Sequence, residues 1–172
     1  IIILLFFLVS CTGQQKYNEI EEDENLVNFK SEKYGFSFSF PNNWEEVTKD
    51  LPEMWAILNN EDTILFTVNK ASTKNLLALG KIQALRDLYP ASNVNNIGQE
   101  RIDEVNKMVK LATFNNKEWY TYAIKFSDKN VDSIVSGTLC NGNEINLVMV
   151  SSFDTFEKNK AVYSDMLDIF EC

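Results

Sequence analysis

The 172-residue chain contains no histidine, and that single absence removes whole classes of chemistry. Ser-His-Asp and Cys-His nucleophilic catalysis, histidine general bases and most catalytic zinc sites all need an imidazole. Glycine is scarce at six residues, and the phosphate-cradling patterns G-x-x-x-x-G-K-[ST] and G-x-G-x-x-G are missing, as is the nucleophile elbow G-x-S-x-G. Positive charge is also short: 16 Lys and Arg against 25 Asp and Glu leave a net charge of −9. No basic stripe is present to release counterions from a phosphate backbone, which argues against a nucleic-acid partner. Carboxylates are plentiful and leave carboxylate-pair chemistry open, although nothing in their spacing favours it. No catalytic residue, metal ligand or cofactor is assigned.

Long apolar runs are missing too, with one exception. Ile1-Ile2-Ile3-Leu4-Leu5-Phe6-Phe7-Leu8-Val9 is followed by Ser10 and Cys11. As a helix, nine residues rise only about 14 Å, roughly half a hydrocarbon core, so the run is too short to span a bilayer. The polar alternation of a half-buried strand is absent. Leu8-Val9-Ser10-Cys11 resembles the lipobox of prokaryotic lipoproteins, in which the cysteine takes a diacylglycerol thioether and becomes the mature N-terminus. An ordinary secretory signal ends in small residues without that cysteine. The resemblance implies a truncated signal peptide over 1–10, lipidation at Cys11 and a membrane-anchored lipoprotein on the extracytoplasmic face. Because Ile1 opens the chain and no Lys or Arg precedes Lys16, the sequence is expected to begin inside that signal.

Residues 11–25 carry Glu19, Glu21, Glu22, Asp23 and Glu24 with few apolar side chains and no periodicity. That is the pattern of a solvated tether, with an r.m.s. span of roughly 20 Å for a flexible chain of this length. It lacks the glycine turn and spaced oxygens of a calcium loop. With Cys11 assigned to lipid, Cys140 and Cys172 are an even pair in an exported chain and are expected to form a disulfide. A strand over 144–152 travels about 30 Å and a helix over 155–170 returns about 24 Å, which brings Cys172 back beside Cys140. Two separate buried thiols are the alternative.

Residues 26–172 are enough for one domain with a full core. Val27-Asn28-Phe29-Lys30 reads as a short strand. Phe36-Ser37-Phe38-Ser39-Phe40 alternates strictly, with three phenylalanines on one face and two serines on the other. Pro41-Asn42-Asn43 stops it before Trp44. A hairpin over 54–58 and 63–68 follows, turning through Asn59-Asn60-Glu61-Asp62. From Ser72 or Thr73 as N-cap, Ala78, Ile82, Leu85, Leu88 and Tyr89 recur at helical spacing until Pro90.

Strands are expected over 100–104, 107–114, 118–126, 133–140 and 144–152. Asn115-Asn116-Lys117 and Asn141-Gly142-Asn143 mark turns, the Asn-Gly being the stronger signal because a type I′ turn needs positive φ. Hairpins make the sheet antiparallel. Over 119–126 and 144–152 both faces are apolar in part, so these strands are covered on both sides. The cluster Trp119-Tyr120-Thr121-Tyr122 reads as sheet packing more than as a ligand platform. A last helix over 154–170 has Asp154 and Glu157 placed for a capping box, with Phe153 as a hydrophobic staple. Two main helices are therefore available for the two faces of one sheet.

The segment Tyr34-Gly35-Phe36-Ser37-Phe38-Ser39-Phe40-Pro41-Asn42-Asn43-Trp44 resembles the opening of PsbP-like domains, and the element order over Leu26 to Cys172 is similar too. The resemblance implies an α+β fold, an antiparallel β-sheet flanked by helices in an α-β-α sandwich of PsbP-like type, without enzymatic activity. DcrB and LpqN lipoproteins are the expected fold relatives. Phe36, Phe38, Phe40 and Trp44 match core positions of the motif and Pro41 the turn after the strand. The metal sites and photosystem contacts of plant PsbP have no matching positions. The expected function is a non-catalytic, lipid-anchored binding or assembly module that contacts an unknown protein or envelope partner. The alternatives are a carrier or sensor of a small apolar ligand and, further off, a carboxylate-pair hydrolase.

Overall fold

The computed structural model describes residues 25–47, 53–59, 62–89, 97–126 and 129–172. The expected signal peptide, Cys11 and the acidic run to Glu24 lie outside the described residues. Strands β1 (Leu26–Ser31) and β2 (Phe36–Pro41) form a two-stranded antiparallel sheet of their own. Among the described residues the main sheet has seven strands. In spatial order they are β3 (Glu45–Glu46), β4 (Met54–Asn59), β5 (Asp62–Lys70), β9 (Asn143–Ser152), β8 (Val131–Cys140), β7 (Lys117–Phe126) and β6 (Lys110–Phe114). Every pairing is antiparallel. Helices α1 (Leu76–Leu88) and α2 (Gln99–Met108) cover one face, and α3 (Phe156–Asp168) with the β1–β2 hairpin covers the other. This is an α-β-α sandwich. Among the described residues no helix is long and apolar enough to cross a membrane.

The hairpin stands apart from the main sheet because its buried face is aromatic and packs flat on the sheet instead of pairing with it. Phe36, Phe38 and Phe40 are all buried, as the alternation with Ser37 and Ser39 predicts, and Trp44 is buried beside them. Phe38 stacks on Phe66 of β5 with ring centroids 3.7 Å apart, and Phe29 of β1 stacks on Phe38 at 4.8 Å. Pro41 ends β2, half-buried. On the opposite face the core is Leu79 and Ala84 of α1, Val105 of α2, and Tyr120, Tyr122 and Val135 of the sheet. Strands β7 to β9 thus feed both cores: Trp119 goes to one side and Tyr120 to the other.

Several expectations change. The segment 100–104 is helical, part of α2, and β6 starts only at Lys110. Its apolar residues Ile102, Val105 and Met108 recur every three positions among Glu, Arg and Lys, which is a helical face, and Gly98 begins the turn. Among the described residues there are therefore three helices and two sheets. Helix α1 is capped by Asn75, whose side chain accepts from the Ala78 amide, and not by Ser72 or Thr73; Thr73 Oγ1 instead accepts from the Asn75 amide at 3.2 Å. The capping box at α3 is not formed. Glu157 pairs with Lys160, Phe153 is exposed, and the helix starts after Thr155. Both Asn141 and Gly142 have positive φ, as the type I′ turn requires, and so do Asn115 and Asn116.

Truncating Phe38 to Ala removes a ring enclosed by Phe29, Phe36, Phe40 and Phe66. Urea unfolding of the variant is expected to show a loss of roughly 3–5 kcal/mol, and a loss below about 1 kcal/mol would mean that this face is not core.

Candidate functional site

The strand ends bring four segments together at one corner of the sandwich. The turn before β2 brings Gly35 and Phe36, the β6–β7 turn brings Asn115, Asn116 and Lys117, β8 ends at Cys140, and the chain after α3 returns with Phe170, Glu171 and Cys172. Glu171 is held there by two backbone hydrogen bonds to Ser37, 3.0 and 2.9 Å long, so it extends β2 as a bridge. An open cleft of about 670 Å³ lies between these segments. Phe36 and Phe170 line it as rings stacked at 5.7 Å, and Lys30, Lys117 and Glu171 bring charge to its rim.

Cys140 and Cys172 meet at this cleft as free thiols, so the expected disulfide is not formed in the structure. The Cys140 thiol lies 3.9 Å from the Tyr34 carbonyl oxygen. It also lies 3.6 Å from the Gly35 carbonyl oxygen. The Cys172 sulfur is engaged elsewhere: Lys117 Nζ donates to it at 2.7 Å, and it faces the Leu139 carbonyl at 3.8 Å. Burial, more than the neighbouring sulfur, pushes the Cys140 thiol up to about 12. The chain after α3 does bring Cys172 back beside the end of β8, as expected, but its sulfur accepts from Lys117 and no bond to Cys140 is formed.

Two buried polar clusters were invisible in the sequence. Under α1, the Tyr120 hydroxyl donates to Glu144 Oε1 at 2.8 Å and also meets Asn146 Oδ1. Beside it the Tyr122 hydroxyl donates to Asp87 Oδ2 at 2.5 Å, and Gln83 Nε2 holds the other oxygen at 2.9 Å. Burial raises Asp87 above the ordinary aspartate range despite these bonds, and both tyrosines are raised by burial and the adjacent carboxylates. Tyr120 can lie this close to both neighbours only because they are glycines: a Cβ at Gly80 would sit 2.5 Å from its ring, and one at Gly137 would overlap its hydroxyl end.

The second cluster fastens α3 to β5. The Asp62 carboxylate accepts from Ser151 Oγ at 2.8 Å, Thr155 Oγ1 at 2.9 Å, the Ser152 amide at 3.1 Å and Asn159 Nδ2 at 2.6 Å. The carboxylates of both clusters are thus committed to interior hydrogen bonds. Among the described residues no group of three or more Cys, Asp or Glu is arranged to hold a metal. The indole N–H of Trp119 and Asp132 Oδ1 are buried without a hydrogen-bond partner among the described residues.

A second depression, of about 310 Å³, runs between the hairpin and α3 along Leu26, Pro41, Val162, Met166 and Ile169. Of the residues singled out in the sequence, Phe36, Phe38, Phe40, Pro41 and Trp44 build the hairpin layer, and Cys140 and Cys172 come together. Lys117, which completes the thiol site, carried no local signal.

The fold is PsbP-like. Among solved structures, the solution structure of cyanobacterial PsbP (CyanoP) from Synechocystis sp. PCC 6803 is similar, with a TM-score of 0.60 and 15% identity over 86% of this chain and 92% of that one. A Bacteroides thetaiotaomicron VPI-5482 protein has a TM-score of 0.59 and 12% identity over 86% of this chain; this chain spans about half of that protein, 48% of its length. No protein-family model and no curated protein matches the chain. At these identities the likeness defines the fold alone.

The Asp62 cluster generates a pH prediction. Burial pushes this carboxyl up, but the hydrogen bonds from Ser151, Thr155, Ser152 and Asn159 outweigh it, and Asp62 titrates below its ordinary value of 3.8. A folded-state value below the unfolded one contributes stability that is present above 3.8 and lost as the pH falls through the folded value. Asp87, raised by burial, has the opposite sign and costs stability as the pH rises past its ordinary value. Asp62→Ala is expected to lose at least about 2 kcal/mol at pH 7 in urea unfolding. The gap to wild type narrows as the pH drops below 3.8. A gap that stays constant down to low pH would mean that the carboxylate is not held in its ionised form.

Proposed function

We propose that the chain is a non-catalytic, lipid-anchored binding or assembly module on the extracytoplasmic face of a membrane, acting on a protein or envelope partner. Leu8-Val9-Ser10-Cys11 supplies the anchor, residues 11–25 the tether, and 26–172 the PsbP-like domain, with DcrB and LpqN lipoproteins as the expected fold relatives. The observation that carries this reading is the filling of the interior. Aromatic and aliphatic side chains close both faces of the sheet, Trp119, Tyr120, Phe66 and Met149 are fully enclosed, and the depressions described above are open at the surface. A carrier of a small apolar ligand needs an enclosed apolar cavity, and a carboxylate-pair hydrolase needs acids free to face a substrate. Here Glu144, Asp87 and Asp62 are spent on tyrosine, serine, threonine and asparagine donors. Recognition is left to the surface.

In cells expressing the full-length precursor, Cys11→Ser is expected to abolish fatty-acid labelling and to move the protein from the membrane pellet to the soluble fraction, since stable anchoring needs more than one acyl chain. Undiminished labelling sinks the anchor. Crosslinking in intact membranes is expected to give a discrete larger species with wild type that is weakened by Cys11→Ser. Native mass spectrometry that finds a stoichiometric apolar molecule bound to the purified protein would overturn the module in favour of the carrier.

A further inference from the structure

We propose that Cys140 and Cys172 are a reversible dithiol site, in which Cys172 attacks an external disulfide and Cys140 resolves it, the resulting bond fastening the 170–172 segment to the end of β8. Three observations carry this. The two cysteines lie side by side, with Cys172 Sγ 3.8 Å from the carbonyl oxygen of Leu139, the residue before Cys140. The backbone on both sides is fixed, by the β8–β9 ladder through the Cys140↔Asn143 pair and by the double hydrogen bond between Ser37 and Glu171. The two thiols are also unlike: Cys172 is exposed at the rim of the cleft, whereas Cys140 is 1% exposed beneath the Gly35 carbonyl.

The asymmetry sets the order of events. Only Cys172 can meet an external disulfide, and Lys117 Nζ at 2.7 Å places a cation beside its sulfur. Cys140, buried and pushed up to about 12, stays protonated near neutrality and does not initiate. The Cys172 thiolate bonds to one sulfur of R–S–S–R and displaces R–S⁻, which takes up a proton. Cys140 then attacks the Cys172 sulfur of the mixed disulfide, its proton leaving with the second R–S⁻ as R–SH. The pair is oxidised by two electrons, and the external disulfide is reduced to two thiols. As the Cys172 sulfur moves to Cys140 it gives up its contact with Lys117, whose ammonium is then free at the rim of the cleft.

The test uses the whole chain with glutathione disulfide as the probe, followed by alkylation, trypsin digestion and non-reducing mass spectrometry. Wild type is expected to yield the fragments 130–158 and 161–172 joined, two hydrogens lighter than their sum, and to return to separate alkylated fragments with excess dithiothreitol. Cys140→Ser is expected to stop at a stable glutathione adduct on Cys172, and Cys172→Ser to leave Cys140 unreacted until the protein is unfolded. The bond closes a loop of about 30 residues, so Tm is expected to rise by roughly 5–10 °C on oxidation in wild type and in neither variant. The proposal is overturned by wild type that accumulates separate glutathione adducts without a linked pair. It is equally overturned if folded Cys172→Ser takes glutathione on Cys140, since the attacking order would then be wrong.

Discussion

Strands β8 and β9, and β7 at Trp119 and Tyr120, are buried on both faces, and most of the other features follow from that constraint. Successive residues in such a strand must suit two different cores. Trp119 and Tyr120 go to opposite sides, as do Leu147 and Val148. A slip of one residue in register would exchange the two sets and send Glu144 and Asn146 among the phenylalanines. Two covering layers are then obligatory, and the chain supplies α1 with α2 for one face and the aromatic hairpin with α3 for the other. The hairpin cannot lie in the main sheet and also cover it, which accounts for the second, two-stranded sheet.

The α1 face is only partly apolar, and its polar atoms have to be answered inside the protein. Glu144 and Asn146 point from β9 beneath α1, and the Tyr120 hydroxyl reaches them across β8. That reach requires the ring to lie flat between Gly80 and Gly137. The same logic operates on the opposite face, where α3 has no side-chain cap of its own and hangs on the sheet through hydrogen bonds of two kinds. Tyr163 donates to the Leu147 carbonyl at 2.8 Å, and Thr155 and Asn159 donate to Asp62. Because Thr155 precedes the first turn of α3 and Asn159 ends it, Asp62 places a carboxylate of β5 at the positive end of the helix dipole. The capping function at this helix is therefore tertiary.

That substitution explains where the sequence could be read and where it could not. Local patterns with one dominant cause survived: the alternation over 36–40, the Asn-Gly turn at 141–142, and the two-faced composition of 144–152, whereas 119–126 is covered on both sides only at Trp119 and Tyr120. The errors fall where a distant residue decides. Asp154 and Glu157 satisfy the local rule for a capping box, but Asp62, about ninety residues earlier, takes Thr155 instead. The segment 100–104 alternates over too few residues to distinguish strand from helix, and only the extension to Val105 and Met108 reveals the three-residue spacing. At the thiol site the two cysteines were legible because cysteine is rare. Lys117 was not, because one lysine at a turn among 16 basic residues carries no mark.

With the proposed anchor at Cys11, the hairpin gives the surface a direction. In the hairpin, Leu26 pairs with Pro41 at one end and Ser31 with Phe36 at the other. The proposed tether would join at the first end, where the apolar groove of Leu26, Pro41 and Ile169 lies, while the thiol cleft opens at the second, beside Gly35 and Phe36. Five residue steps along β1 separate the two ends by about 17 Å. For a domain anchored at Cys11, a tether of roughly 20 Å keeps the Leu26 end near the lipid headgroups, with its exposed apolar side chains. The cleft then stands on the far side of the hairpin, open to soluble thiols, disulfides and partners that do not enter the membrane. The buried aromatic face of the hairpin, stacked on Phe66, makes it a rigid spacer between the two ends. Any bond that pins Cys172 to Cys140 would stiffen the end that points away from the anchor and leave the anchored end unchanged.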